Sequence, residues 1–310
     1  MDRYNGILPV IKDLGLSSHD LIYRLRRIIG QQKIGHTGTL DPMASGLLLV
    51  CLGRATKLTQ FLSDWDKCYR AEITLGWVSD TLDGAGRMEK RGDVPALTSD
   101  DILAVLARFT GSIMQTVPAY SAVKVNGREL YKYARRGETP ETPSRRVEIK
   151  SLTLLGFESP RLTMEIQCSK GTYIRTLADD IGKDLGCGAY LSALERLAIG
   201  PFHVRDALTV RHVEARHQDG ALTDSVRSIE NVLEFPLVTI ADPVAATIHN
   251  GGVPTTGDVV SWRGRFDAGQ LISMADEQGR ILAIGRATCD LVAVQAKAQN
   301  DFFSYVRVLV

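Results

Sequence analysis

Residues 35–46 read GHTGTLDPMASG, and they place one carboxylate, Asp41, among glycines and small hydroxyl side chains. Glycines adopt backbone conformations that other residues avoid, and they let a ligand approach closely. Apolar runs on both sides anchor such a loop to a core, so that its carboxylate is presented to a ligand. An Asp-Pro pair also commonly begins a helix, with Asp41 as the N-cap and Pro42 at the first position. The loop alone leaves both interpretations open.

The length and composition predict a globular protein of two domains. The chain has 310 residues, whereas single cores stop growing at about 250 to 300 residues. Hydrophobic residues make up 44% of the chain, charged residues 24%, and the net charge is +1. These values exclude extended disorder. No apolar run approaches the roughly 20 residues of a membrane span, and the first residues lack the apolar core of a signal peptide, so we expect a cytoplasmic protein.

The cysteines and glycine motifs favour a protein without metal or cofactor. The five cysteines are odd in number and widely spaced, with no Cys-x-x-Cys pair, which is typical of reduced, structural thiols. The Gly-x-Gly at residues 186–188 follows a predicted helix rather than a strand, which argues against a dinucleotide site, and the sequence contains no P-loop.

Hydrophobic periodicity predicts an α+β fold around a mixed, mainly antiparallel sheet, because strands and helices follow each other without a steady β-α-β rhythm. Tyr69, Ala71, Ile73 and Leu75 fall on one side of a predicted strand. Residues 116–143 lack regular repeats and are interpreted as a long, partly mobile insertion. The predicted helices are Asp20–Ile29, Asp100–Phe109 and Thr172–Leu185, and capping residues from Ser17 precede the first of them. The predicted strands are Cys68–Val78, Arg145–Phe157 and Arg161–Cys168.

From about residue 237 the predicted elements are short strands at close spacing, which predicts a small β-rich domain of about 70 residues. A short helix, Asp242–Asn250, is closed by two glycines. Strands follow at Val259–Trp262, Gln270–Met274 and Arg280–Ile284. The last two are joined by a hairpin whose Gly279 supplies positive φ.

Two basic stretches stand out against the nearly neutral chain. Residues 21–40 carry four cations and no acid, and residues 124–150 carry eight cations against four acids. Such patches suit a phosphate backbone, and a solvated helix face is an equally good interpretation. A third segment, residues 169–176, places Tyr173 and Arg175 at a strand-to-helix transition. Arg175 is interpreted either as the partner of a carboxylate or as a surface charge.

Taken together, these segments resemble the TruB family of bacterial tRNA pseudouridine-55 synthases. The resemblance spans most of the chain, and its ordered motifs with family-like spacing make it highly specific. One proline of a usual pair is Val117, and Asp13 replaces the proline that usually follows the lysine at position 12; both are loop changes. The matching segments are Gly35–Pro42, Lys67–Arg70, Val117–Gly127, Lys170–Arg175 and Gly186–Ala189.

The resemblance implies a catalytic domain over residues 1–237, with an RNA-gripping insertion at about 116–146, and a PUA-like β-barrel over residues 238–310. Asp41 is then the essential aspartate, and Arg175 is its partner. Tyr69 stacks on the base and assists removal of the C5 proton. Tyr173 and Leu194 line the pocket, although Leu194 alone, at helical spacing from Leu191 and Leu197, indicates only a core position.

The resemblance also implies an RNA partner, the T-arm of tRNA, bound by a monomer that needs no protein partner. His36 is expected to fill the space that the extruded base leaves. Two alternatives stay open, an RNA-folding helper and a guide-dependent synthase that acts with partner proteins. The residues expected to contact RNA are Lys12, Arg24, Lys124, Arg128, Arg145 and Arg146.

Overall fold

The computed structural model describes residues 3–138, 140–296 and 301–309. Thr139 of the predicted insertion and residues 297–300 of the predicted C-terminal domain lie outside this part. In chain order the strands are β1 (Gly6–Lys12), β2 (Ile34–His36), β3 (Ala44–Leu52), β4 (Lys67–Leu75), β5 (Trp77–Ser79), β6 (Met88–Lys90), β7 (Gly111–Thr116), β8 (Lys124–Val125), β9 (Arg128–Glu129), β10 (Ser144–Glu158), β11 (Arg161–Cys168), β12 (Ala189–Ile199), β13 (Phe202–His203), β14 (Leu237–Ile240), β15 (Val259–Arg263), β16 (Leu271–Ala275), β17 (Ile281–Ala287) and β18 (Phe303–Val308). The helices are α1 (Ser18–Ile29), α2 (Thr59–Leu62), α3 (Ser99–Arg108), α4 (Leu130–Ala134), α5 (Ile174–Asp184), α6 (Val210–Gln218), α7 (Ile229–Val232), α8 (Asp242–Ala245) and α9 (Leu291–Gln295).

Two sheets organise the described residues. The larger has the strand order β1-β3-β12-β4-β11-β10-β7, with β2 added to β3 and β13 to β12. Its pairs are antiparallel except β3 with β12, which is parallel. The smaller sheet has the order β15-β14-β16-β17-β18. The α+β prediction with a mixed, mainly antiparallel sheet and a small C-terminal β unit is confirmed, while the boundary at residue 237 stays a prediction.

Local sequence signals explain the first helix. Ser17 accepts a hydrogen bond from the Asp20 backbone N–H at 3.1 Å, and the Asp20 carboxylate accepts one from the Ser17 N–H at 3.0 Å. This capping box begins α1 two residues before the predicted start. Leu21 and Leu25 are buried, whereas Arg24 is exposed, so the helix presents its basic side away from the core as predicted.

The predicted strand over Cys68–Val78 is β4, and its alternating face, Tyr69, Ala71, Ile73 and Leu75, is buried. The strand ends at Leu75 because Gly76 turns the chain with φ of +85°. The predictions for β10, β11, α3, α5 and the hairpin at Gly279 are confirmed to within two residues. The helix predicted over Asp242–Asn250 is split into α8 and a separate 3₁₀ turn at Ile248–Asn250.

Two predictions needed correction. The insertion is more regular than predicted, because β8 and β9 form a hairpin and α4 follows it. The helical spacing of Leu191, Leu194 and Leu197 was a wrong guide, since these residues lie on β12. Pairing of β12 with both β4 and β3 overrides the local pattern.

The core places β3 and β12 at the centre of the molecule. Leu48 and Val50 of β3 face a cluster under α1 and α6. Leu47 and Leu49 face the opposite cluster, which includes Ile284 of the smaller sheet. A third cluster lies between α3, α5 and the strands β4, β11 and β12. Strand β3 is therefore buried on both faces, which fixes the end of the loop that precedes it.

A substitution of Gly46 tests the close backbone contact between β3 and β12. Its φ is +104°, and an added Cβ would lie 2.4 Å from the Arg196 carbonyl oxygen. We expect Gly46→Ala to lower the free energy of unfolding by at least about 3 kcal/mol, measured by urea denaturation. Gly15→Ala is the matched control, because Gly15 has φ of +84° with no atom within 4 Å; it should cost about 1 kcal/mol. Equal losses would contradict the proposed backbone clash.

Candidate active site

A cavity of about 610 Å³ opens at the centre of the larger sheet. Its walls come from the loop before β3, from β4, the insertion, the segment before α5, and β12. Of the residues predicted to act on substrate, Asp41, Tyr69, Tyr173, Arg175 and Leu194 line it. Five residues from four separated segments of the sequence thus line one cavity. His36 is not among the lining residues.

The Asp41 loop is a turn and not a helix start. The Asp41 carbonyl accepts a hydrogen bond from the Ala44 N–H at 3.0 Å, and β3 begins at Ala44. The helix-cap interpretation of Asp41 is therefore wrong, because pairing of Ala44 with Leu194 of β12 takes the chain directly into the sheet. Ser18 of α1 accepts from the Leu40 N–H at 2.8 Å and donates to the Leu40 carbonyl at 3.1 Å. The turn is thus fixed on both sides of Asp41.

Arg175 connects two carboxylates. Its Nε lies 3.0 Å from Asp41 Oδ2, and its Nη1 lies 3.4 Å from Asp83 Oδ2. It also donates to the carbonyls of Thr81 at 3.2 Å and Tyr120 at 3.0 Å. Its side chain is buried, so the surface-charge interpretation is wrong. The pairing with Asp41 is present as the resemblance implied.

Asp83 was missed by the sequence analysis. It is buried, accepts from the Thr81 hydroxyl at 2.6 Å and from the Ala85 N–H at 3.0 Å, and so keeps a fixed direction towards Arg175. The only local signal is the cluster of turn-forming residues at 79–86. Such a cluster predicts a turn and gives no indication of what its carboxylate contacts.

Burial raises the pKa of Asp41 above its ordinary value of 3.8, and this outweighs the opposing effect of the Arg175 guanidinium. The negative charge of Asp83 raises the pKa of Asp41 further, and Lys12 lowers it. Burial is thus the largest of these effects on the pKa of Asp41. The cause is the cavity wall, which removes water from one side of the carboxylate.

Tyr69 faces Arg196 across the sheet. The two residues are register partners on β4 and β12, and both side chains line the cavity. Burial raises the pKa of Tyr69, so its hydroxyl is protonated at neutral pH. Arg196 was missed by the sequence analysis, although an arginine at an inward position of an alternating strand is an available signal.

The segment before α5 is fixed through Tyr173. Gln115 of β7 accepts from the Tyr173 N–H at 3.0 Å and donates to its carbonyl at 3.1 Å. The Arg145 guanidinium lies 5.0 Å from the centre of the Tyr173 ring, within the range of a cation–π contact. One of the residues predicted to contact RNA therefore borders the cavity.

His36 and Lys12 lie beside the cavity. Nδ1 of His36 accepts from the Gly38 N–H at 3.3 Å. Burial lowers the pKa of His36 below 6.5, so the ring is neutral at pH 7. Lys12 is fully buried and donates to the carbonyls of Asp13 at 3.0 Å and Leu16 at 2.7 Å. Its predicted RNA contact stays a prediction.

The remaining predicted RNA contacts are on the surface. Arg24 and Arg146 are exposed. Lys124 lies 3.9 Å from Glu129, and Arg128 lies 3.7 Å from Glu138. The Arg128 guanidinium also lies 4.7 Å from the Tyr133 ring centre. Within residues 3–138, 140–296 and 301–309, no group of three or more metal-ligating side chains could hold an ion, and no helix is long and apolar enough to cross a membrane.

Comparison with known proteins agrees with this geometry. Residues 26–174 match the family model for TruB family pseudouridylate synthases, N-terminal domain, and residues 175–234 match the tRNA pseudouridylate synthase B C-terminal domain. The tRNA pseudouridine synthase B of Pelotomaculum thermopropionicum is 41% identical over 91% of each chain. That of Syntrophotalea carbinolica is 38% identical over 98% of this chain and 97% of the relative.

A chain in the crystal structure of the archaeal box H/ACA sRNP Nop10–Cbf5 complex has a similar fold. Its TM-score is 0.75 at 25% identity, over 98% of this chain and 86% of that chain. The sheet, the aspartate cavity and these matches define an isomerase of the pseudouridine synthase class. More narrowly, the sequence identities over nearly the whole length show that the chain belongs to the TruB family of pseudouridylate synthases.

Asp83→Asn tests the second carboxylate. We expect the rate of pseudouridine formation to fall roughly tenfold, because Arg175 loses an anchor. Removing the Asp83 charge lowers the pKa of Asp41. A reaction that needs the Asp41 carboxylate loses activity as pH falls through that pKa, so the acid limb of the pH–rate profile should move to lower pH.

Asp93→Asn is the matched control, because Asp93 is exposed and pairs with Lys90. It should leave both the rate and the acid limb unchanged. An acid limb that stays fixed, or moves to higher pH, in Asp83→Asn would contradict the electrostatic coupling.

Proposed function

We propose that the chain converts uridine 55 to pseudouridine in the T-arm of tRNA. The reaction breaks the N1–C1′ glycosidic bond and forms a C5–C1′ bond, so the base must detach, rotate and reattach within one closed site. The single observation that carries the proposal is the Asp41–Arg175 ion pair, 3.0 Å long, inside the central cavity. The curated relatives named tRNA pseudouridine synthase B support the choice of substrate.

The size of the cavity supports base flipping. Its volume of about 610 Å³ falls in the usual range for small-molecule sites. It can hold one nucleotide and is too small for a base that remains stacked in an RNA helix. An enzyme that acts on a stacked base must extrude it at a cost of a few kcal/mol. The neutral His36 beside the loop is proposed to occupy the vacated space and so to offset part of that cost.

The cavity walls support a division of roles. Asp41 attacks the nucleotide, and Arg175 fixes the direction of its carboxylate. Tyr69 stacks on the base, while Tyr173 and Leu194 form the apolar wall. Tyr69 is also proposed to assist removal of the C5 proton; because its hydroxyl is protonated at neutral pH, it does so without acting as the base.

The insertion supports recognition of RNA. Residues 120–123 and Tyr131 line the cavity, and the Tyr120 carbonyl accepts from Arg175. A segment that grips RNA through Lys124 and Arg128 therefore also closes the cavity over the base. RNA stems are recognised by shape, phosphates and 2′-hydroxyls, which suits the basic surfaces formed by α1 and this insertion.

Asp41→Asn should abolish pseudouridine formation on an unmodified tRNA transcript and leave tRNA affinity within about threefold, since the amide keeps the shape and loses the nucleophile. The readouts are chemical tagging of pseudouridine with mass analysis, and filter binding. Asp100→Asn, an exposed change in the first turn of α3, is the control.

Retained activity of Asp41→Asn would overturn the assignment. The purified wild-type chain should act without added protein or guide RNA; a requirement for either would favour the guide-dependent alternative. Acceleration of tRNA folding by Asp41→Asn would show that the folding-helper activity accompanies the isomerase.

Arg24→Gln tests the basic face of α1. We expect weaker tRNA binding and a slope of log affinity against log salt that falls by about one, because one phosphate contact is lost. The matched control is Arg161→Gln, at the end of β11 remote from the cavity segment 169–175. An unchanged salt slope in Arg24→Gln, or an equal change in the control, would contradict a phosphate contact at Arg24.

A further inference from the structure

Arg196 lies at the junction of the three central strands. It is on β12, paired with Tyr69 of β4 on one side and with Gly46 of β3 on the other. Its side chain is 1% exposed. Burying a guanidinium is costly unless its donors are hydrogen-bonded. The acceptors of the Arg196 guanidinium therefore indicate the role of this residue.

Its hydrogen bonds reach both ends of the turn that carries Asp41. Arg196 Nε donates to the Leu47 carbonyl at 2.7 Å, and its Nη2 donates to the Gly38 carbonyl at 3.1 Å. Gly38 precedes Asp41 and Leu47 follows it, so one planar group spans the base of the loop. The rigid fork of a guanidinium fixes both carbonyls at once, which a single ammonium cannot do in the same geometry.

The third neighbour of the guanidinium is Tyr69, the register partner of Arg196 on β4, and both side chains line the cavity. None of the ion pairs found in the described part of the chain includes Arg196, so all its hydrogen bonds that the structure defines go to neutral groups of the site.

We propose that Arg196 is a positioning residue for the isomerisation, and that its guanidinium holds the two ends of the Asp41 turn in one arrangement beside Tyr69. The inference rests on the proposed function for its kinetic consequences. Its structural consequence, a rigid loop at residues 38–47, does not depend on the substrate.

The kinetic test compares wild type, Arg196→Lys, Arg196→Met and the control Arg70→Met in steady-state pseudouridine formation. Arg70 is the neighbour of Tyr69 on β4 but is exposed on the opposite face. We expect kcat to fall at least tenfold in Arg196→Lys and more in Arg196→Met, with KM for tRNA within threefold of wild type. A kcat within threefold of wild type in Arg196→Lys would overturn the proposal, and this milder variant keeps the test decisive if Arg196→Met fails to fold.

A double-mutant cycle tests the link to Tyr69. If Arg196 acts partly through the Tyr69 side chain, the loss in Arg196→Lys should be smaller in a Tyr69→Phe background than in wild type. Losses that multiply fully would remove Tyr69 from the proposal.

Amide hydrogen exchange at residues 37–47 separates this proposal from the proposed function. Exchange should be at least tenfold faster in Arg196→Lys and unchanged in Arg70→Met. Unchanged exchange in Arg196→Lys would overturn the proposal even if the enzyme is active. Faster exchange in a chain that modifies no tRNA would support Arg196 and reject the substrate.

Discussion

The structure depends on keeping a carboxylate in a cavity that excludes much of the surrounding water. Burial disfavours the charged form of Asp41 and so raises the pKa of this carboxyl. Arg175 offsets part of it, but a buried guanidinium needs its own acceptors. Asp83 and the carbonyls of Thr81 and Tyr120 supply them. The charged groups of the site therefore depend on each other: Asp41 needs Arg175 as its partner, and Arg175 needs Asp83 and the two carbonyls as acceptors.

The mixed sheet brings these groups together. Strand β12 pairs in parallel with β3 and antiparallel with β4, so it places Arg196 between the Asp41 loop and Tyr69. Helix α5 packs against this region and brings Arg175 to the same cavity. A loop held only at its ends by local turns would leave the Asp41 carboxylate free to rotate. Contacts from α1, β12 and α5 instead restrain it from three directions.

Sequence patterns predicted what a few neighbouring residues determine. The capping box of α1, the buried face of β4 and the hairpin at Gly279 all follow from spacing within about ten residues. Asp83 and Arg196 could not be assigned in this way, because their roles come from partners far along the chain; Arg196 and Leu47 are 149 residues apart. The helical spacing around Leu194 misled for the same reason, since pairing with distant strands decided the element. The resemblance to a family supplied Asp41, Tyr69 and Arg175, which local patterns left ambiguous.

The chain as a whole has a net charge of +1, but positive side chains outnumber negative ones at the cavity. Three cations, Lys67, Arg175 and Arg196, line it together with one carboxylate, Asp41. Burial lowers the pKa of Lys67 to about 8, which still leaves this ammonium mostly protonated at pH 7. Asp83 behind the wall balances one of these charges. The charged groups at the cavity thus have an excess of positive charge. In a space of low polarity, this positive charge attracts an entering phosphate strongly. Arg175 and Arg196 interact with the charge of Asp41 and also contribute to the field that attracts an RNA nucleotide, so a substitution that removes either cation weakens both effects.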